Sequence, residues 1–183
     1  MPAVPFDQLP DDARLWVFAA ARPLNDDEQQ RLLAHTDGFL RQWAAHGSPV
    51  VGGRDLRHGR FLLVAADERA TGVSGCSTDT LFRTLGDLER ELGVELRDAS
   101  LVFFLDEDGA VASEPRPAFR QRALSGGIGP ETVVFDNTVP TVGDVRNGRW
   151  ETEMQLAWHA RAFPVGARSQ AGAVLIATRT ETT

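Results

Sequence analysis

Short unbroken apolar runs alternate along this chain with stretches whose apolar residues recur at helical spacing. The run Leu15–Ala20 predicts a buried strand, closed off by Pro23. Asn25 followed three positions later by Glu28 reads as a capping box. Leu32, Leu33, Phe39, Leu40 and Trp43 then mark one face of a helix that Gly47 should stop. Residues 49–56 and 61–66 read as two strands joined by a hairpin turn over Arg57–Arg60. The small residues from Thr71 to Cys76 read as a loop. Ser77, Thr78 or Asp79 can cap a second helix that carries Leu81, Leu85, Leu88 and Leu92 on one face and ends at Gly93. Leu101–Leu105 is a further strand, and Asp106–Gly109 turns the chain back into residues 110–113.

The order over residues 14–105 is β-α-β-β-α-β, the pattern of a ferredoxin-like sheet with two helices on one face. We therefore expect an α/β (α+β) protein with a ferredoxin-like core over residues 10–110. An extension over 111–163 should pack on that core, followed by a tail over 164–183. In the extension, Ala118–Leu124 predicts a helix, Thr132–Phe135 a strand and 140–149 irregular chain. Trp150–Phe163 fits either a helix or a wrapped arm. Ala173–Ala177 in the tail is a candidate added strand.

Composition narrows the function classes. The hydrophobic fraction of 42% and charged fraction of 25% are those of a globular chain. A net charge of −7 argues against broad binding to nucleic acid or to anionic membranes. No apolar run approaches the roughly 20 residues of a membrane helix, and residues 1–7 lack the basic and apolar regions of a secretion signal. One cysteine, Cys76, permits no internal disulfide, which suits a reducing compartment. These features point to a soluble cytoplasmic protein. All nineteen basic residues are arginine. Without lysine there is no Schiff base, no pyridoxal phosphate attachment and no P-loop, and no cofactor is implied.

Candidate chemistry gathers at one edge of the expected sheet. The first helix should end, and the second begin, at that edge, placing His46 and Trp43 near the 72–79 loop. His46 and Cys76 are then expected within about one helix diameter, on the order of 10 Å. Cys76, at the start of a helix, would be favoured as a thiolate, with His46 as base and Asp79 or Ser77 orienting it. Structural roles explain the same residues: Cys76 as a small buried side chain, His46 at a helix C-terminus, Asp79 as a cap. The Ser74, Gly75 and Ser77 backbone, beside Trp43, is also suited to a small anion held without reaction. Arg54, Arg57, His58 and Arg60 cluster at the opposite edge, where a solvated hairpin tip accounts for them and an anionic partner is the alternative. The histidines and the cysteine show no zinc spacing, and Asp106–Gly109 lacks the calcium-loop pattern, so no metal is expected. Trp150, Trp158, His159 and Phe163 either anchor an arm or leave an aromatic surface.

The stretches Trp43–Gly47 (W-x-x-H-G), Ser74–Asp79 (S-G-C-S-x-D), Gly127–Phe135 and Trp158–His159, in that order, resemble a family of small uncharacterised bacterial proteins often labelled ABC-transporter ATPases. The resemblance spans most of residues 5–163 and brings no established activity. A lysine-free chain has no Walker A motif, so the label conflicts with the residues. Gly127–Phe135 is also similar to part of GYF-like modules, which bind peptides. The sequence thus leaves two readings. One is non-catalytic binding of a small anion or partner segment at the edge formed by loops 43–49 and 72–79. The other is a thiol-dependent enzyme built on Cys76 and His46.

Overall fold

The structure, a computed structural model, describes residues 3–69, 72–73 and 75–166. In chain order its elements are β1 (Arg14–Ala19), α1 (Asp26–Gln42), β2 (Ala44–Ala45), β3 (Ser48–Pro49), β4 (Val51–Arg57), β5 (Phe61–Asp67) and α2 (Gly75–Leu92). There follow β6 (Leu101–Leu105), β7 (Val111–Pro115), α3 (Arg116–Leu124), β8 (Val133–Phe135), α4 (Val142–Arg146), β9 (Glu151–Glu153) and α5 (His159–Ala162). The protein is thus mixed α and β, and all strand pairs are antiparallel.

Among the described residues, the apolar runs at 15–20, 61–66 and 101–105 become strands buried on both faces, as such runs require. In β1 and β5 the side chains of Phe18, Leu62, Val64 and Ala66 meet Leu32 and Leu40 of α1 and Leu81, Leu85 and Leu88 of α2. The alternate residues, Leu15, Phe61, Leu63 and Ala65, meet Phe103 and Phe135 of a second sheet and Trp150 just ahead of its strand β9. The far face of that sheet (Val102, Phe104, Val134) packs under Phe119 and Ala123 of α3. Three apolar interfaces therefore separate four layers: two helices, a three-stranded sheet, a four-stranded sheet and a helix.

This layering corrects the ferredoxin-like expectation. The first sheet has the order β1-β5-β4, and the Leu101–Leu105 strand does not join it. That strand enters the second sheet, ordered β7-β6-β8-β9, because both of its faces are apolar and need cover. The edge of β1 is instead met by irregular chain from both sides. Leu15 N–H donates to the Pro140 carbonyl, and Ala19 N–H to the Leu96 carbonyl.

Local signals decide the element ends. The capping box forms as expected, with Asn25 Oδ1 and the Glu28 carboxylate each accepting the other residue's N–H at 2.9 Å. Arg22 grips the same carboxylate and, with Asn25, holds its pKa down at about 2. The helix then stops at Gln42 rather than Gly47. His46 and Gly47, both at positive φ, form the two-residue loop of the β2–β3 hairpin, the geometry such tight turns need. At its other end, α2 begins at Gly75, ahead of the expected caps, so Cys76, Ser77, Thr78 and Asp79 all lie within it.

Residues 140–149 are not irregular, since Thr141 and Asp144 form a second capping box on α4. Trp150–Phe163 is neither one helix nor a plain arm. It supplies β9, a 3-10 turn and α5. At Gly53 a Cβ would sit 2.6 Å from the Val4 carbonyl, so only glycine lets the N-terminal segment lie along β4. The run Ala173–Ala177 falls outside the described residues. Among the described residues no helix is long and apolar enough to cross a membrane.

Candidate functional site

The register places residues 43–50, and residues 72, 73 and 75, at the same end of the first sheet, beside the Val51–Asp67 pair. The Arg57–Phe61 pair lies at the other end. Trp43 is buried, and its Nε1–H donates to the Ser77 carbonyl at 3.2 Å, so the hairpin base is pinned to the first turn of α2. Ser77 is buried too, while Gly75, Cys76 and Asp79 are exposed on that turn. His46 is exposed at the hairpin tip. Among the described residues no hydrogen bond, ion pair or ring contact joins His46, Cys76 and Asp79. Ser74 lies outside the described residues. A depression of about 390 Å³ between Phe39, Trp43, Thr80 and Thr84 is the concavity nearest these loops.

The basic hairpin is not a solvated tip. Arg54 is paired with Asp37 by two 2.8 Å bonds, Arg57 with Asp55, and His58 with Glu151 of the second sheet. Arg60 is buried. Its guanidinium donates to the carbonyls of Ala20, Ala21 and Val111 and to Ser113 Oγ, at 2.6–2.9 Å, and lies 5.1 Å over the Phe103 ring. Among the described residues no carboxylate pairs with it, and burial lowers its pKa from the ordinary guanidinium value. The sequence lists these residues as one basic cluster, but three are paired and the fourth links the two sheets.

A cleft of about 490 Å³, larger than the depression at Trp43, opens beside β1. Its floor lies where β6 and β8 pair at the single position Phe104–Val134. Alternation in the ladder turns the N–H and C=O of Leu15, Val17 and Ala19 away from β5. The N–H groups of Leu15 and Ala19 donate to the Pro140 and Leu96 carbonyls. Val17 N–H, between them, meets no acceptor among the described residues. Phe82, Phe103, Phe135 and Trp158 contribute apolar walls, and Arg14, Arg97, Asp98, Arg116 and Asn137 line the same space.

His159 forms part of the wall. It is 1% exposed, its Nδ1 has no hydrogen-bond partner, and its ring stacks on Trp158 with centroids 4.0 Å apart. Burial pulls its pKa down to about 4. Arg116 acts in the same direction and Asp136 against it. His159 is therefore neutral in the fold and binds a proton more readily when unfolded. Stability is then full above pH 6.5 and falls by about 3 kcal/mol as pH drops to 4. Denaturant titrations at a series of pH values should show this slope in the parent and not in His159→Phe. An unchanged slope in the variant would remove His159 from the account. The Trp158–His159 pair was visible as an aromatic concentration, whereas nothing in the sequence marks Val17 as an unpaired edge residue or Arg116 as lining the same cleft.

Among the described residues no group of histidine, cysteine and acidic side chains is arranged to hold a metal ion. Comparison with known proteins finds no matching family model, no similar curated protein and no similar solved structure.

Proposed function

We propose that this protein is a non-catalytic binding protein whose small-molecule ligand occupies the cleft beside β1, rather than the edge formed by loops 43–49 and 72–79. The observation that carries this reading is the open position at Val17. One residue's N–H and C=O face a walled apolar space, and crossing chain closes the edge on either side. Pockets that hold small molecules combine apolar walls with a few convergent polar groups in this way. The same closure disfavours a partner segment, because strand addition needs a longer run of free edge. Binding is favoured over catalysis because the cleft lining contains no cysteine and a single hydroxyl, Thr138, which donates to Asp136. No nucleophile there is paired with a base.

A fragment screen by protein NMR tests the proposal. Hits should shift the amide signals of Val17, Phe103 and His159 together. Ala99 is exposed and lines the mouth, so Ala99→Trp should fill the cleft without disturbing the core. We expect it to weaken those hits by about tenfold or more, with melting unchanged. Hits that leave Val17 unshifted and ignore Ala99→Trp would defeat the reading.

A further inference from the structure

The charges around this cleft select a class of ligand; the inference rests on the binding reading above. Three arginines line the space, and two already hold carboxylates: Arg14 with Glu68, and Arg97 with Glu89. Arg116 is different. Its guanidinium lies 5.1 Å over the Trp158 ring and pairs with no acidic side chain among the described residues. A guanidinium laid on an aromatic face keeps its N–H edge free for a bidentate acceptor. Val17 N–H is a second donor without a partner. Asn137 is a third, because its amide oxygen already accepts from Trp150 Nε1 and leaves the NH₂ for the cleft.

We infer that the ligand is a monocarboxylate on a flat apolar body, with its carboxylate on Arg116 and its body between Phe103, Phe135 and Trp158. Arg116, the lining cation without a carboxylate partner, can meet a single negative charge, while the lining carboxylate Asp98 accepts from the Ser100 N–H. A phosphate dianion would bring a second charge with no cation to meet it, at a desolvation cost. The aromatic walls suit a planar body through stacked and edge contacts.

The test uses the full chain and three probes of one shape: 2-naphthoate, 2-naphthamide and 2-naphthyl phosphate. Binding is followed by tryptophan fluorescence, to which Trp16 and Trp158 at the cleft report. 2-Naphthoate should bind about tenfold or more tightly than 2-naphthamide. Arg116 is exposed, so Arg116→Gln should fold normally and abolish that difference, and Arg116→Lys should keep part of it. Equal binding of acid and amide, still blocked by Ala99→Trp, would overturn the charge assignment and leave the binding reading standing. Tighter binding of the phosphate would overturn the ligand class. If no probe binds, or Ala99→Trp has no effect on those that do, both the inference and the reading beneath it fail.

Discussion

Replacing Arg60 with leucine should destabilise the fold by about 4 kcal/mol, a large share of the 5–15 kcal/mol typical of a domain. Leucine fills part of the volume but leaves the Ala20, Ala21 and Val111 carbonyls and Ser113 Oγ without their shared donor. Buried acceptors without partners carry their full desolvation penalty. Arg60→Lys keeps the charge but lacks the planar fork that reaches four acceptors, and should lose about half as much. Urea unfolding monitored by far-UV circular dichroism reads both variants. A loss below about 1 kcal/mol for leucine would mean that water replaces the guanidinium at little cost.

Trp150→Ala should cost a similar amount, about 4 kcal/mol, by a different route. Trp150 is buried between the sheets, with ring centroids 5.2 Å from both Phe61 and Phe135, and its Nε1–H donates to Asn137. Alanine leaves a cavity at the meeting point of both sheets, whereas Trp150→Phe retains most of the packing and should cost far less. Thermal melts of the two variants, with near-UV circular dichroism as the probe of tertiary packing, measure the contrast. Equal losses for phenylalanine and alanine would assign the effect to the Asn137 bond rather than to the cavity.

Elements whose signals are local could be read directly from the sequence. The Asn25–Glu28 box, the leucine stripe of α2 and the apolar runs of β1, β5 and β6 each carry their own pattern, and each forms. Which strands become neighbours is not local. Leu101–Leu105 reads equally well as the fourth strand of a ferredoxin-like sheet or as the centre of a second sheet. Only the cover supplied by α3 and by the inner face of β5 decides between them. The small α4 was hidden because Gly143 looks like a breaker. In the fold its bare Cα accommodates Asp11, whose carbonyl lies 3.0 Å from where a Cβ would stand.

The candidate sites divide in the same manner. Trp43 and Ser77 were expected to share an edge of the sheet and do meet, since the order of helices and strands dictates that much. The cleft could not be anticipated, because it lies where β6 and β8 pair at a single position and where β1 ends as an edge strand. Both are properties of strand pairing, which no single segment encodes. Arg60 shows the converse error: a charged residue beside a turn reads as solvated, yet here it serves as an internal clamp.

The way irregular chain closes β1 also bears on how the protein behaves at high concentration. A bare sheet edge is a template on which other chains polymerise. Here, among the described residues, the crossing chain leaves β1 one free N–H, at Val17, too little to seed an intermolecular ladder, and the outer side of β4 is engaged at Gly52 by Ala3 and Val4. In the second sheet, the outer strand β9 carries Glu151 and Glu153, while β7 carries Glu114 and ends at Pro115. Charge and proline at those positions repel strand addition. The opening at Val17 is thus narrow enough to keep the sheets from recruiting one another into fibres.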